Sequence, residues 1–274
     1  MERFIPQEWH ESFEKVLEKQ KTRIPEQAPT REFVIPHFKI MTVSGPSGTG
    51  KSKSTEILAW RHGAYVFKIG EIEREIVRVI LGKEIIGYVE RPDEIDWMVD
   101  EFQRELFRHA DELDRPIIVE GRMAGINATE VFNEMGIEAP RIARILLVAN
   151  RRERMRRLAK RENSKLGAGS KPLSQKEIMR ETMEREQGDF VQFRKGHPIL
   201  TSYHGINVDS PFNPSLRDPQ TGKHPFYDIV ENNSSIDVYQ TCEEIIDKEV
   251  ELGFGERMDH RARFSRQGIV YIAK

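Results

Sequence analysis

Eight consecutive residues carry the clearest chemistry in this sequence, because their types and spacing follow the pattern G-x-x-x-x-G-K-S. They are Gly45, Pro46, Ser47, Gly48, Thr49, Gly50, Lys51 and Ser52. In such a loop the backbone N–H groups surround phosphate oxygens, the lysine ammonium reaches the outer phosphates and the serine hydroxyl can bind Mg²⁺. An apolar run at 40–43 precedes the loop, and a helix-forming stretch at 54–60 follows it. The segment therefore predicts a nucleoside triphosphate site rather than a chance glycine-rich turn.

Two further segments place charged residues directly after apolar runs. Arg74 lies one turn into a stretch that begins near Gly70, and its guanidinium could hold a phosphate through two hydrogen bonds. Glu120 ends the next run, where an acid beside the phosphate-binding strand is well placed to hold Mg²⁺. A glycine then aims Arg122 into the same cleft. The ordinary alternatives stay open, an exposed arginine for Arg74 and a salt bridge at the sheet edge for Glu120.

A basic segment at 151–161 contains seven lysines and arginines in eleven residues. Helical spacing puts Arg154, Arg157 and Arg161 along one face. A run of this kind is typical of a solvated helix face or of an RNA-binding helix. Here it directly follows an expected strand, where a kinase needs arginines to stack on adenine and to neutralise the transferring phosphoryl group.

Composition limits the class of protein. The chain has 274 residues, 38% of them hydrophobic and 32% charged, with a formal net charge of −2. These values indicate a globular protein. Its net charge gives no overall positive field that would attract nucleic acid. The single cysteine, Cys242, cannot form an intramolecular disulfide, and no apolar stretch approaches the length of a membrane helix. We expect a cytoplasmic protein with no membrane partner, and nucleic acid is not expected as a partner. The eight histidines show no spacing that suggests a zinc site.

Short apolar runs alternate with longer helical patterns from residue 39 onward. The runs lie at 39–44, 64–69, 116–120, 143–149 and 227–231. This alternation predicts an α/β fold with a parallel sheet and helices on both faces. A capping box from Ser174 to Glu177 predicts the start of a helix that ends near Lys195. The polar stretch at 205–224 predicts a long surface loop, and residues 1–38 predict a helical extension with a linker.

Taken in order, the motifs resemble those of the nucleoside monophosphate kinases, and among them the archaeal-type cytidylate kinases. Besides the phosphate-binding loop, the landmarks are Gly70-Glu71-Ile72-Glu73-Arg74, Glu94-Ile95-Asp96 with Gln103, Val119-Glu120-Gly121-Arg122-Met123-Ala124-Gly125, Leu158-Ala159-Lys160-Arg161-Glu162, and Tyr227-Asp228-Ile229-Val230 with Asn233-Ser234. The resemblance implies a P-loop NTPase fold with five parallel strands in the order 2-3-1-4-5. It places a kinase domain at 39–254, with a monophosphate-binding insertion at about 70–115, a helical lid at about 151–205 and a tail at 255–274.

The resemblance also implies roles for individual residues. The activity would be transfer of the γ-phosphoryl group of ATP to CMP or dCMP with Mg²⁺, and the partner would be a small nucleotide acceptor. Gly70, Arg74 and Arg122 would contact the acceptor, Ser52 and Glu120 would hold the metal, and Lys51 would act on the phosphates. Arg157 and Arg161 would serve adenine and the transferring phosphate at the lid entrance, with Arg185 as the first lid arginine.

Two positions depart from the family pattern, and two other functions stay open. Gln192 stands where the family has a second lid arginine, with Arg194 two residues beyond, and Glu71 replaces the usual aspartate. A P-loop kinase for another small metabolite would share Lys51 and Ser52. An ATP-binding regulator or RNA-associated protein would use the basic helix as a contact surface. The sequence makes no prediction of oligomeric state.

Overall fold

The computed structural model describes residues 33–81, 93–135, 142–165, 172–196, 212–258, 262–265 and 268–271. The strands are β1 Val34–Pro36, β2 Ile40–Ser44, β3 Tyr65–Lys68, β4 Ile117–Glu120, β5 Ile142–Val148, β6 Ile229–Asn232, β7 Gly255–Arg257, β8 Ala262–Ser265 and β9 Gly268–Tyr271. The α-helices are α1 Lys51–His62, α2 Ile69–Leu81, α3 Asp93–Arg108, α4 Ala124–Met135, α5 Arg151–Lys165, α6 Gln175–Gly196 and α7 Val238–Glu251, with a 3₁₀ turn at Ala110–Glu112.

A five-stranded parallel sheet forms the centre of the fold, in the order β3-β4-β2-β5-β6. Counted from β2, the strand before the phosphate loop, this is the expected order 2-3-1-4-5. The labels differ because β1 precedes the sheet. Both ends of each of these five strands lie within two residues of the ends of a run that the sequence predicted. The P-loop NTPase fold is therefore confirmed.

Helices cover both faces of this sheet because its central strands are apolar on both sides. On one face α2, α3 and α4 pack over Ile40, Phe67 and Val119. On the other face α1 and α7 pack over Met41 and Val43. Strand β2 is buried along its whole length, as expected for the middle strand of a parallel sheet.

Local signals set the ends of the helices near the site. Helix α1 begins after Gly50 and ends at Gly63, both with positive φ. Helix α6 begins with the capping box that the sequence predicted. The Ser174 backbone N–H donates to Glu177 Oε2 at 2.8 Å, and the Glu177 N–H donates to Ser174 Oγ at 3.2 Å.

The segment at 34–38 belongs to the core rather than to a separate appendage. Strand β1 pairs antiparallel with β7. Val34 and Phe38 are 0% and 2% exposed and pack in the same cluster as β2. The expected helix near the N-terminus lies outside the described residues, so the domain boundaries stay a prediction.

The loop expected at 205–224 is described from residue 212. A few of its side chains pack into the core. Phe212 and Leu216 pack against buried Phe226 and Tyr227. Asp218 is buried, and its carboxylate accepts a hydrogen bond from the Gln220 N–H at 2.8 Å. Nine of the thirteen residues from 212 to 224 are exposed and none lies in a helix or strand, so the loop prediction is confirmed for this part, with Asp218 and His224 as its buried residues.

The single cysteine lies in the core of the fold. Cys242 is buried on α7, and burial raises the pKa of its thiol to about 12. Among the described residues, no helix is both long and apolar enough to cross a membrane.

Candidate functional site

The phosphate loop connects β2 to α1 and packs between β5 and α5. Gly45, Gly48 and Gly50 have φ values of 136°, 82° and 87°, which residues with a side chain rarely adopt. A Cβ at Gly45 would come within 2.2 Å of the Leu147 carbonyl oxygen. The glycines are therefore required both by conformation and by space.

Lys51 closes over this loop. Its side chain is largely buried, and Nζ donates to the carbonyl oxygens of Gly45 at 2.7 Å and of Pro46 at 3.0 Å. Thr49 Oγ1 also donates to the Pro46 carbonyl, at 2.9 Å. The ammonium thus lies within the curve of the loop, where phosphate oxygens could replace the two carbonyls as its partners.

Ser52 and Glu120 meet at the carboxyl ends of β2 and β4. Ser52 Oγ donates to Glu120 Oε1 at 2.9 Å. Glu120 Oε2 is buried and has no hydrogen-bond partner among the described residues. A hydroxyl and one carboxylate beside a phosphate site suit Mg²⁺, which usually keeps phosphate and water as its other ligands. No cluster of three or more acidic, histidine or cysteine ligands occurs in the described part of the chain.

Helix α5 contributes two arginines that bond to the phosphate loop or to its neighbours. Arg154 Nε donates to the Ser47 carbonyl at 2.9 Å, and its Nη2 pairs with Glu186 on α6. Burial lowers the pKa of this guanidinium. Arg154 therefore joins the loop to the helix where the lid is expected, a role that the sequence did not assign.

Arg157 has a partner at each of its three nitrogens. Its Nε donates to Glu153 Oε1 at 2.7 Å, its Nη1 to Asn233 Oδ1 at 3.0 Å and its Nη2 to the Asn233 carbonyl at 2.8 Å. Hydrogen bonds from Arg156 and Arg157 lower the pKa of Glu153 to about 2, so this carboxylate stays ionised. The guanidinium is thereby fixed in plane and position.

A cavity of about 510 Å³ opens between α5 and the segment that joins β6 to α7. Its lining residues include Gly50, Glu153, Arg157, Asn233 and Ile236. The cavity therefore adjoins the end of the phosphate loop. Its size suits a nucleoside or a similar small molecule.

Gly70, Arg74 and Arg122 lie on the other side of the phosphate loop, around the ends of β3 and β4. Gly70 and Arg74 share the first turns of α2 and are exposed, and Arg122 is half-buried before α4. Gly121 does not have a positive φ, so its role differs from the turn that the sequence suggested. A Cβ there would come within 3.1 Å of Ile69, and the glycine lets the two strand ends approach each other.

The structure does not place the remaining expected arginines at the phosphate loop. Arg161 is exposed one turn beyond Arg157 and pairs with Glu162 at 2.7 Å. The side chains of Arg185, Gln192 and Arg194 lie outside the described residues, although their backbone belongs to α6. The part of these residues in the site stays a prediction.

Asn233 is the contact residue that sequence reasoning missed. It is buried after β6, and its Nδ2 donates to the Thr49 carbonyl at 2.6 Å. The sequence marked it only as part of a family landmark. Its partners are 184 and 76 positions away, so no local pattern could have revealed them.

Comparison with models of protein families identifies the family of this chain. The model of the AAA domain family matches residues 41–180. The chain belongs to the AAA domain family. The match begins in β2 and reaches α6, so this AAA domain segment contains the phosphate loop, Glu120 and the basic helix.

Curated relatives refine the relationship within this family. A cytidylate kinase of Archaeoglobus fulgidus is 24% identical over 214 residues, which cover 77% of this chain and 94% of the relative. A cytidylate kinase of Methanosarcina barkeri is 28% identical over 171 residues, covering 62% and 80%. Among solved structures, a gluconokinase from Sinorhizobium meliloti is 12% identical, covers 81% of this chain and 95% of its own, and has a TM-score of 0.44. The predicted resemblance to P-loop nucleotide kinases, and to archaeal cytidylate kinases in particular, is confirmed.

Proposed function

We propose that this protein transfers the γ-phosphoryl group of ATP to a nucleoside monophosphate, and that CMP and dCMP are the acceptors. The observation that carries the proposal is the position of the phosphate loop between two distinct regions. The cavity beside Arg157 lies on one side, and the arginines at the ends of β3 and β4 lie on the other. Similarity to cytidylate kinases supports the choice of acceptor.

ATP would bind with its phosphates in the loop and its base in the cavity. Gly50 belongs both to the loop and to the cavity lining, so one extended ligand can occupy the two regions together. Arg157 presents a fixed guanidinium on which an aromatic base can stack. The backbone N–H groups of the loop and the Lys51 ammonium would hold the phosphates.

The acceptor would bring its phosphate to Arg74 and Arg122. An oxygen of this phosphate forms the new bond to the γ-phosphorus while the bond from that phosphorus to the β–γ bridging oxygen breaks, and ADP leaves with the electron pair. Phosphate oxygens are already anionic, so no strong base is needed. Mg²⁺ held by Ser52 and Glu120 would neutralise charge on the phosphate oxygens. The protein's own part is to position both phosphates and to surround them with positive charge.

Three polar side chains between α3 and α4 support an acceptor base that carries an amino group. Asn127 Nδ2 donates to Asp100 Oδ1 at 2.9 Å, and Gln103 Nε2 points to the same oxygen at 3.4 Å. Because the carboxylate attracts both amide NH₂ groups, the amide oxygens face elsewhere. Gln103 Oε1 and Asn127 Oδ1 are buried without a partner among the described residues. Such oxygens would accept from the amino group of cytosine and would repel the O4 carbonyl of uracil.

The test is ATP consumption by the full chain with Mg²⁺ and one acceptor at a time. CMP, dCMP, UMP, AMP and GMP are compared with gluconate and shikimate as hydroxyl acceptors. We expect CMP and dCMP to give the highest kcat/KM. Faster turnover with a hydroxyl metabolite would replace the proposal with a small-metabolite kinase, and no acceptor-dependent turnover would replace it with an ATP-binding regulator.

The base preference has its own test in Gln103→Met, which keeps the side-chain length and removes the amide. We expect the ratio of kcat/KM for CMP to that for UMP to fall at least fivefold. Arg104→Met is the matched control, because the half-buried Arg104 neighbours Gln103 on α3 and pairs with Glu130 and Glu134 of α4. Equal ratios in both variants and the parent protein would show that Gln103 does not read the base.

A further inference from the structure

We propose that Asn233 is a positioning residue that couples the base pocket of the phosphoryl donor to the phosphate loop. The inference rests on the proposed function of the cavity as the donor-base site. It adds that binding of the base reinforces the geometry of the loop, so that recognition of the base increases the rate of transfer and not only the affinity for ATP.

The contacts of Asn233 determine the orientation of its amide. Nδ2 donates to the Thr49 carbonyl at 2.6 Å, and Oδ1 accepts from Arg157 Nη1 at 3.0 Å. A carbonyl can only accept and a guanidinium can only donate, so the reversed amide would lose both bonds. The side chain is 3% exposed, and water therefore competes little for either partner.

The backbone of Asn233 holds this side chain at a fixed place. Its N–H donates to the Val148 carbonyl at the end of β5, at 3.0 Å. Its carbonyl accepts a second bond from Arg157, at 2.8 Å. The residue is therefore tied to the sheet, and movement of the Arg157 guanidinium pulls on its backbone and side chain together.

The bond to Thr49 acts on the phosphate loop through one peptide plane. In a trans peptide the carbonyl of Thr49 and the N–H of Gly50 point in opposite directions. Holding the carbonyl toward Asn233 therefore turns the Gly50 N–H away from it, toward the phosphate side of the loop. Gly50 has a φ of 87° and little rotational restraint of its own, so this external bond is what selects the orientation.

A base stacked on Arg157 would hold the guanidinium in the plane that Asn233 requires. Arg157 and Asn233 both line the cavity, whereas the Thr49 carbonyl belongs to the loop. The chain of contacts from base to phosphate thus contains only two side chains. Removing either one should break the same coupling.

The test compares ATP with inorganic tripolyphosphate, which has the phosphates but no base. Asn233→Asp keeps an acceptor for Arg157 and places a carboxylate oxygen against the Thr49 carbonyl. We expect its KM for ATP to change less than threefold while kcat falls at least tenfold. Asn233→Ala should lower kcat similarly and raise KM as well. Asn232→Ala is the matched control, since the exposed Asn232 side chain bonds only to Ser234 among the described contacts.

Coupling between the two side chains is measured with Arg157→Met and with the double variant Asn233→Ala/Arg157→Met. We expect the double variant to lose little more kcat than the worse single variant. Additive losses, or parallel changes in kcat, KM and melting temperature as for a folding defect, would overturn the proposal. If the parent protein transfers to no acceptor, the proposed function fails by itself. Calorimetry then still decides, because the coupling predicts that Asn233→Ala and Arg157→Met each weaken ATP binding more than tripolyphosphate binding, and equal weakening of the two ligands would overturn it.

Discussion

A single hydroxyl–carboxylate contact links helix α1 to strand β4 at the phosphate site. Ser52 is the second residue of α1 and Glu120 is the last of β4, and Ser52 Oγ lies 2.9 Å from Glu120 Oε1. The second oxygen of Glu120 is buried without a partner among the described residues, which is costly unless a cation or another donor approaches it. At the scale of residues, the proposed chemistry rests on this pair and on the arginines around it.

Glu120→Gln tests the metal role. We expect the Mg²⁺ concentration for half-maximal rate to rise at least tenfold, because an amide oxygen replaces an anionic ligand. The measurement is the rate at saturating nucleotide over a Mg²⁺ titration. Glu56→Gln is the control, since Glu56 pairs with Lys68 at the surface. An unchanged Mg²⁺ midpoint for Glu120→Gln would assign the carboxylate to the structure alone.

Arg74→Ala tests the acceptor side. If Arg74 holds the acceptor phosphate, kcat/KM for CMP should fall at least a hundredfold while the Kd for ATP changes less than threefold, because the charge-assisted contact is made to the acceptor only. Steady-state kinetics and calorimetry give the two numbers. Equal losses for both ligands would point to misfolding of α2.

At the scale of elements, α5 and α6, where the lid is expected, are joined to the phosphate loop by one side chain. Arg154 bonds to the Ser47 carbonyl and to Glu186, so the two helices and the loop share one residue. The two helices also pack through Met155, Leu158 and Ile178, and Arg151 Nη2 donates to Met183 Sδ. The lid arginines expected further along α6 must act from this base.

The departure from the family pattern in α6 gives a prediction for the lid. If Arg194 has replaced the missing arginine at Gln192, Arg194→Ala should lower kcat more than tenfold, which corresponds to about 1.4 kcal/mol in the transition state. Gln192→Arg should then change kcat less than twofold. The opposite pattern, a faster Gln192→Arg and an unaffected Arg194→Ala, would mean that the natural lid is catalytically incomplete.

The loop before β6 gives a prediction on pH. Burial of His224 lowers its pKa to about 4, and the ring bonds to Asn213 O and to the Phe226 N–H. The unfolded chain, with an ordinary histidine pKa near 6.5, binds a proton first as the pH falls. The free energy of unfolding should therefore decrease by about 1–2 kcal/mol between pH 7 and pH 5 because of this group.

Urea unfolding across this pH range measures the effect of His224. In His224→Gln the decrease between pH 7 and pH 5 should be smaller by about the same amount, whereas His37→Gln should keep it. If His224→Gln does not fold, the titration of the His224 ring in the parent protein by NMR gives the pKa directly. A pKa near 6.5 would contradict the prediction.

Sequence and structure agree where the pattern is local. The strands follow from short apolar runs, the capping box at Ser174 from residue types three apart, and the phosphate loop from eight adjacent residues. Contacts between distant segments could not be derived in this way. Asn233 with Thr49, β1 with β7, and buried His62 with Glu249 at 2.8 Å join residues that no spacing rule connects.

At the scale of the whole molecule, the sheet separates two apolar clusters with different tasks. The cluster under α2, α3 and α4 lies beneath the proposed acceptor side, whereas the cluster under α1 and α7 packs against the opposite face of the sheet. Strands β1 and β7 close this second cluster, with Val34 and Phe254 in the core. Residues 34–38 and 255–257, which the sequence assigned to the extension and the tail, therefore pack against the core of the fold.

The product analysis of one reaction tests the central claim most directly. The full chain is incubated with ATP, Mg²⁺ and CMP, and nucleotides are quantified by chromatography. We predict that ADP and CDP form in equal amounts. We also predict that Lys51→Ala lowers the rate at least a hundredfold, a loss of about 3 kcal/mol of transition-state stabilisation, with an unchanged circular dichroism spectrum. Formation of ADP without CDP, or a Lys51→Ala variant that keeps more than a tenth of the turnover, would contradict the account.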